Sequence, residues 1–188
     1  EVMDGLLHLV DNPKADATDL MEFIKGPDFP TGATIFGRQG FTDAYKTGRG
    51  KVKMRAKHHI ETKGKKDIII LDELPYQVNK ARLVEQIATL SKEKMIEGIS
   101  EVRDESDREG TRVVIELKKD AMAEIVMNNL YKQTPMQGTF GIILLAVHNK
   151  EPKIFNLPQI LNIFLDHRKT VIIRRTIFDL EKAKERAH

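Results

Sequence analysis

The run Asp67-Ile68-Ile69-Ile70-Leu71 decides the fold. It is short, apolar and rich in β-branched residues, which is typical of a buried β-strand. Pro75 marks the end of this strand, and Asn79 is a good N-cap for a helix whose apolar residues keep helical spacing to about Lys94. The sequence therefore predicts a strand followed closely by a helix.

Strands and helices continue to alternate downstream. Residues 98–102 and 112–117 are predicted strands on either side of an acidic turn, and residues 121–132 are a predicted helix with Ala121, Ile125 and Leu130 facing inward. Residues 142–147 follow as a strand, with which Lys153-Ile154-Phe155 is expected to pair. From Asp67 the order is strand, helix, strand, strand, helix, strand. This split βαβ order predicts an α+β fold, with an antiparallel or mixed sheet packed by helices.

Upstream of Asp67 the pattern changes from helix to strand. Residues 1–10 have helical spacing that Asp11-Asn12-Pro13 ends, and residues 20–24 are predicted to form a second short helix before the turn at 26–32. Residues 51–57 alternate strictly between charged and apolar side chains. We expect this strand to pair antiparallel with residues 67–71 around Gly64.

The last part of the chain returns to helical spacing. A helix of about 32 residues would be ~48 Å long, so part of it is expected to project as an arm or coiled-coil stem. We divide the chain into a helical segment (1–30), an α+β domain (31–156) and the start of a long coiled-coil helix (157–188). Both ends lie inside predicted helices, which indicates an excised piece of a longer protein.

Composition excludes several classes of protein. The 188 residues are 40% hydrophobic and 31% charged, with a net charge of +3. This is typical of a soluble globular chain, and no apolar run approaches the ~18 residues of a membrane span. The chain has no cysteine, which excludes disulfides and thiolate metal sites, and the absence of a signal-like start predicts a cytoplasmic protein.

One segment concentrates the positive charge. Between Arg38 and Ile60 seven cations accompany the single anion Asp43, a balance of +6, and the rest of the chain sums to −3. The alternation of residues 51–57 places four of these cations on one face of a strand and three apolar residues on the other. The candidate DNA-binding residues are Arg38, Lys46, Arg49, Lys51, Lys53, Arg55 and Lys57.

The spacing of these cations suits a phosphate backbone. Side chains on one face of a strand lie ~6.6 Å apart, about two steps of the ~3.4 Å phosphate spacing along one strand of DNA. Such a row can follow the backbone without reading bases. The alternative is an ordinary antiparallel strand whose polar face is solvated, and the pattern alone leaves both interpretations open.

No other motif predicts catalysis or metal binding. Residues 32–39 have the glycine spacing of a phosphate loop but lack its Lys-Ser/Thr pair, so no nucleotide site is predicted. The segment 104–109 is rich in acidic residues, but it lacks EF-hand spacing and contains Arg108. This favours a solvated hairpin tip over a cation site. His58 and His59 point to opposite faces of a strand and have no zinc-like spacing. Packing rather than nucleophilic roles are expected of the three tyrosines, Tyr45, Tyr76 and Tyr131.

Several runs of sequence, in order and over nearly the whole chain, match one known family. They are Gly26-Pro27-Asp28-Phe29-Pro30-Thr31, Tyr45-Lys46-Thr47-Gly48-Arg49-Gly50-Lys51, Pro75-Tyr76-Gln77-Val78-Asn79-Lys80-Ala81-Arg82-Leu83, Gly98-Ile99-Ser100, Arg103-Asp104-Glu105-Ser106-Asp107, Asn128-Asn129-Leu130-Tyr131, His167-Arg168 and Arg174-Arg175-Thr176-Ile177-Phe178. These runs resemble the A subunits of the bacterial type IIA DNA topoisomerases. A further run, Gln133-Thr134-Pro135-Met136-Gln137-Gly138-Thr139-Phe140-Gly141-Ile142, looks more like DNA gyrase than topoisomerase IV.

The resemblance implies a position within a larger enzyme. In that family two A and two B subunits cut both strands of a duplex, pass a second duplex through the break with ATP, and reseal it. Residues 31–156 would be the tower domain, which flanks the cut and supports the bent DNA, and residues 157–188 would enter the helices that lead to the dimer gate. Residues 1–30 would link from the winged-helix domain.

The resemblance also implies what this chain would not do. The family's catalytic tyrosine lies in the winged-helix domain, upstream of Glu1, so the chain alone is expected not to cleave DNA. ATP and Mg²⁺ are held by the B subunit, so no cofactor is expected here, and the isolated chain is expected to be monomeric. The seven cations remain a hypothesis for DNA contact. The equivalent region of topoisomerase IV and a purely structural spacer are the alternatives.

Overall fold

The computed structural model describes residues 1–187. The helices are α1 (Val2–Asp11), α2 (Ala17–Leu20), α3 (Gln39–Thr47), α4 (Lys80–Lys92), α5 (Ala123–Gln133) and α6 (Leu157–Ala187). The strands are β1 (Thr34–Phe36), β2 (Arg49–Arg55), β3 (Lys57–Lys63), β4 (Lys66–Glu73), β5 (Ile99–Asp104), β6 (Val113–Leu117), β7 (Gln137–Ile143), β8 (Leu145–His148) and β9 (Glu151–Ile154). The predicted α+β class, with antiparallel sheets and a long C-terminal helix, is confirmed.

The chain forms two compact units, each built from separate stretches of sequence. The first unit contains Glu1–Pro27, Gln39–Gly50 and the residues from Ile142 onward. The second contains Asp28–Arg38 and Lys51–Gly141. Strand β2 begins in the first unit and continues in the second.

The second unit is organised around a four-stranded sheet in the order β3-β4-β6-β5. Strand β4 is central and buried on both faces, as its continuous apolar run predicts. Ile69 and Leu71 belong to the main core with residues of α4 and α5, whereas Ile68 and Ile70 pack with Val114. The sheet inserts β6 between β4 and β5, so the predicted split βαβ order is confirmed for these elements.

The prediction of a single strand over residues 51–57 is wrong. Strand β2 ends at Arg55, the Ala56 N–H donates to the Met136 carbonyl (2.8 Å), and Lys57 begins β3 in the other sheet. It is therefore β3 that pairs with β4 around Gly64, while β2 lies between β1 and β7. The small, buried Ala56 keeps the in–out alternation through this change of sheet, so periodicity alone does not reveal it.

The helices of the second unit differ from prediction mainly at their ends. Asn79 caps α4 as predicted, because its side-chain oxygen accepts the Arg82 N–H at 3.0 Å. Helix α5 begins at Ala123 and buries Ala123, Val126, Met127 and Leu130. The expected inward orientation of Ile125 is wrong, since it is 54% exposed; the buried residues follow the spacing i, i+3, i+4, i+7, which leaves position 125 outside.

The first unit packs α1, α2 and α3 against the start of α6. Its second helix covers Ala17–Leu20 rather than residues 20–24, because Asp16 accepts the N–H groups of Thr18 and Asp19 and starts the helix early. The strand predicted for residues 142–147 is interrupted at Leu144, whose N–H donates to the Gly48 carbonyl at 2.9 Å. Strand β8 then pairs with β9, which confirms the predicted pairing for Lys153 and Ile154; Phe155 lies beyond the end of β9.

Helix α6 continues well past its buried residues, Leu157 and Leu161. Beyond Val171 every described residue is exposed, including Ile173 and Phe178. Within residues 1–187 no helix is long and apolar enough to cross a membrane.

Candidate nucleic-acid interface

Three of the four cations in the predicted row, Lys51, Lys53 and Arg55, lie on β2, the central strand of a three-stranded sheet. Val52 and Met54 point into the protein and are 2% and 1% exposed, so Lys51, Lys53 and Arg55 occupy the opposite face. The alternation predicted from sequence is confirmed for this strand. The register with β1 places Thr34 opposite Arg55 and Phe36 opposite Lys53.

The second unit's part of this surface carries positive but no negative charge. Gln137 of β7 bonds Arg55 and so lies on the same face, and a period of two adds Thr139 and Gly141. We call this surface the basic face; it comprises Thr34, Phe36, Lys51, Lys53, Arg55, Gln137, Thr139 and Gly141. Lys51 and Lys53 are exposed, and neither makes an ion pair with any residue that the structure describes.

Arg55 differs from the two lysines because the protein holds its side chain. Its Nε–H donates to the Gln137 Oε1 at 2.6 Å. Its guanidinium lies 3.9 Å from the centroid of the Phe36 ring and 4.9 Å from that of the Tyr131 ring. Both distances are within the range of a cation–π contact, so Arg55 organises the face as well as adding charge to it.

Lys57 does not belong to the row. It starts β3, and its Nζ forms an ion pair with Glu73 Oε1 at 3.0 Å. The hydrogen bond from Lys57 and the N–H of Ala33 (2.6 Å) lower the pKa of the Glu73 carboxyl, and the same carboxylate raises the pKa of Lys57. Because Ala33 directly precedes β1 and has a positive φ of 75°, the Lys57–Glu73 pair fixes the entry to that strand.

The remaining three cations are distributed over both units. Arg38 follows β1 in the second unit, whereas Lys46 in the last turn of α3 and Arg49 at the start of β2 belong to the first unit. All three are exposed. Gly48, with a φ of 82°, forms the predicted tight turn before Arg49. Of the seven predicted residues, the structure thus brings Lys51, Lys53 and Arg55 together on the basic face.

Acidic residues at and after the end of β5 form ion pairs with nearby cations. Arg103 contacts Glu105 and Glu116, both at 2.6 Å. A hydrogen bond from the Ser106 side chain and an ion pair with Lys80 hold the pKa of Asp104 at about 2. Among residues 1–187 no three His, Asp or Glu side chains lie close enough together to hold a metal ion.

The two adjacent histidines have opposite environments. Burial lowers the pKa of His58, whose Nδ1 lies 3.3 Å from the Tyr131 hydroxyl. Hydrogen bonds to Asp72, and then to Glu61, raise the pKa of the exposed His59. The histidines therefore stabilise β3 and its neighbours and add no ligand set.

Sequence reasoning missed three residues that shape the surface. Gln137 is 82 residues from Arg55, and Glu73 is 40 residues from Ala33, so neither contact has a local signal. Phe36 is an exposed aromatic that pairs with Lys53 on the basic strand, and both its exposure and this pairing are visible only in the structure. Gln137 and Phe36 hold Arg55, and Glu73 holds Lys57, whereas the charge pattern shows only that these cations are present.

Comparison with known proteins agrees with the resemblance. The family model for the A subunits of DNA gyrase and topoisomerase IV matches residues 1–188. The chain is 68% identical over 188 residues to the DNA gyrase A subunit of Campylobacter jejuni and 66% identical over 188 residues to that of Helicobacter pylori strain 26695. It is 54% identical over 190 residues to that of Escherichia coli K12.

All of this chain is covered in each comparison, whereas the matched region is 22%, 23% and 22%, respectively, of those relatives. The chain thus spans somewhat less than a quarter of the length of the curated relatives it matches. The match over all 188 residues, at these identities, shows that the chain belongs to the family of DNA gyrase and topoisomerase IV A subunits.

Proposed function

We propose that this chain is the part of a gyrase breakage–reunion subunit that supports bent duplex DNA beside the cleavage site, and that it contacts the duplex through the basic face. The observation that carries this proposal is the lack of opposing charge on that face. Lys51 and Lys53 project from a rigid central strand, and no member of the basic face is acidic. A surface with this charge distribution suits a polyanion.

The rest of the second unit strengthens the argument by contrast. Lys57, Lys80, Arg103 and Arg112 all have carboxylate partners within 4 Å. Carboxylates are therefore abundant in this unit, yet the basic face has none. Bending a short duplex costs about 1–6 kcal/mol, and phosphate contacts that release counterions can offset that cost.

The test is binding of the 188-residue chain to a duplex of about 30 base pairs at several salt concentrations. We expect the variant Lys51→Glu/Lys53→Glu to bind much more weakly. The logarithmic salt slope should become shallower by about 1.8, since each lost phosphate contact contributes about 0.9. The matched control is Lys65→Glu/Lys66→Glu at the exposed β3–β4 turn, which changes the net charge equally.

Either of two results would contradict the proposal. Equal losses in the two double variants would mean that only net charge matters. Absence of binding by the unaltered chain, even at low salt, would favour the alternative in which this region is a spacer between other parts of the enzyme.

We also infer that the chain does not itself break DNA. A nucleophilic tyrosine must be accessible and activated, but Tyr45 is only 4% exposed and burial raises the pKa of Tyr131. Tyr76 packs against Phe29 and Phe140 at centroid distances of 5.7 and 5.6 Å. From the resemblance, we also propose that ATP and Mg²⁺ are held by the B subunit rather than by this chain.

The proposed partners are DNA, two B subunits and a second A subunit, in the cytoplasm. Exposed apolar residues along α6, among them Ile172, Ile173 and Ile177, support packing of this helix against another helix of the assembly. The high identity to proteins named gyrase supports gyrase over topoisomerase IV. In isolation the chain is expected to be monomeric, which sedimentation can check.

A further inference from the structure

The basic face contains one large aromatic side chain, Phe36, at the end of β1. It is 54% exposed and lies directly across from Lys53 in the β1–β2 register. A single exposed apolar residue is common on protein surfaces and needs no explanation by itself. Phe36 differs from such a residue because its ring is held in a defined orientation by a charged neighbour.

That neighbour is Arg55, whose guanidinium lies 3.9 Å from the Phe36 ring centroid. Gln137 and Tyr131 hold the guanidinium in turn, through the 2.6 Å hydrogen bond and a second ring contact at 4.9 Å. The guanidinium therefore supports one face of the aromatic ring before any ligand arrives. Preorganisation of this kind lowers the entropic cost of binding.

The surroundings of Phe36 are small and uncharged apart from the cations. Thr34 precedes it on the same face of β1, and Lys53 lies opposite it on β2. With more than half of its surface accessible, the phenylalanine can take a second flat group beside the guanidinium. Lys51 and Lys53 are placed to meet the negative charges that accompany such a group.

We propose that Phe36 stacks on an unpaired nucleobase while Lys51 and Lys53 bind the adjoining phosphates, so that the basic face binds single-stranded DNA as well as duplex. This proposal rests on the proposed function, because it uses the same two lysines. Aromatic side chains on a sheet surface beside cations are the usual platform for unstacked bases. A paired base in a duplex offers no free face for stacking, so the aromatic contact selects unpaired nucleotides.

The test compares two ligands of equal charge, oligothymidylate and an abasic oligomer, each of about 12 nucleotides. Fluorescence anisotropy measures their binding to the full 188-residue chain. We expect oligothymidylate to bind more tightly, and Phe36→Leu to weaken its binding roughly 5- to 150-fold, equivalent to the about 1–3 kcal/mol per stacked base. The abasic oligomer should bind the unaltered chain and Phe36→Leu equally.

Phe36→Trp is the matched variant, since it restores an aromatic plane and should restore the preference for oligothymidylate. Circular dichroism identifies any variant that fails to fold, and Phe36→Leu keeps the apolar bulk of the side chain for that reason. Equal affinity of the unaltered chain for the two oligomers overturns the stacking proposal, as does an unchanged preference in Phe36→Leu. In either case a continued loss of duplex binding in Lys51→Glu/Lys53→Glu leaves the proposed function standing.

Discussion

Replacement of Arg55 by lysine separates a structural role of this arginine from a role as a simple phosphate contact. The variant keeps the positive charge but loses the planar donor that reaches Gln137 at 2.6 Å. A hydrogen bond to a charged group contributes about 1.5–3 kcal/mol, and lysine retains part of the two ring contacts, each of about 0.5–1 kcal/mol. We therefore expect Arg55→Lys to lower the free energy of unfolding by about 2 kcal/mol.

The assay is urea denaturation followed by circular dichroism for Arg55→Lys, Gln137→Ala and the double variant. Direct contact predicts a coupling energy between the two changes of about 0.5–3 kcal/mol. Lys53→Gln is the control, because an exposed side chain without a partner among residues 1–187 should change stability by less than about 0.5 kcal/mol. The salt slope of duplex binding should be unchanged in Arg55→Lys, since the charge remains.

Two results would refute this reasoning. Additive effects of Arg55→Lys and Gln137→Ala, within about 0.5 kcal/mol, would mean that the hydrogen bond does not couple the two residues. Unchanged stability of both Arg55→Lys and Gln137→Ala, within about 0.5 kcal/mol, would mean that the surrounding structure does not hold the guanidinium of Arg55.

Further predictions concern the backbone and the histidines. Gly48→Ala should destabilise the first unit by more than about 2 kcal/mol, because the φ of Gly48 is 82° and a Cβ would lie 2.5 Å from both Ile154 and the Phe155 carbonyl. Gly37 is the control: its φ is 91°, but a Cβ there would have no atom within 4 Å. Gly37→Ala should therefore cost only the roughly 1–2 kcal/mol of strain that a left-handed backbone imposes on alanine. Urea midpoints compare the two, and equal losses would exclude the predicted clash. The lowered pKa of His58 means that its contribution to stability is full above about pH 6.5 and is lost as the pH falls through its folded pKa. The raised pKa of His59 has the opposite effect: its contribution to stability is full below about pH 6.5 and is lost as the pH rises through its folded pKa. The loss of urea midpoint should therefore be larger at pH 8 than at pH 5 for His58→Gln, and larger at pH 5 than at pH 8 for His59→Gln. The same pH dependence in both variants would contradict these assignments.

Local signals in the sequence were enough for the centre of the fold. The apolar run around Ile69 predicts a strand buried on both faces, and the Asn79 cap predicts the start of α4; the structure has both. Each depends on residues close together in the chain. The prediction for Ile125 was wrong because the buried residues of α5 follow the spacing i, i+3, i+4, i+7 from Ala123, which leaves position 125 on the exposed side.

The choice of strand partner lay beyond such signals. Periodicity places Lys53 and Lys57 on one face of one strand, but the chain changes sheets at Ala56. The Ala56 N–H donates to the Met136 carbonyl, and Lys57 forms an ion pair with Glu73; both partners lie in other segments of the chain. A pattern with a period of two specifies which side chains point outward, whereas non-local hydrogen bonds decide which of them share a surface.

The same distinction bears on how a candidate DNA contact is recognised. Lys51, Lys53 and Lys57 are equivalent in the sequence pattern, yet Lys57 is neutralised by Glu73 and the other two have no carboxylate partner among the described residues. A cation already paired inside the protein must give up its partner to bind phosphate, and it then gains little net energy. An unpaired cation on a rigid strand gives up only its hydration and counterions. The proposed DNA contact therefore rests on the lysines that the fold leaves without a partner, and the total charge of the segment overstates the number of cations available for it.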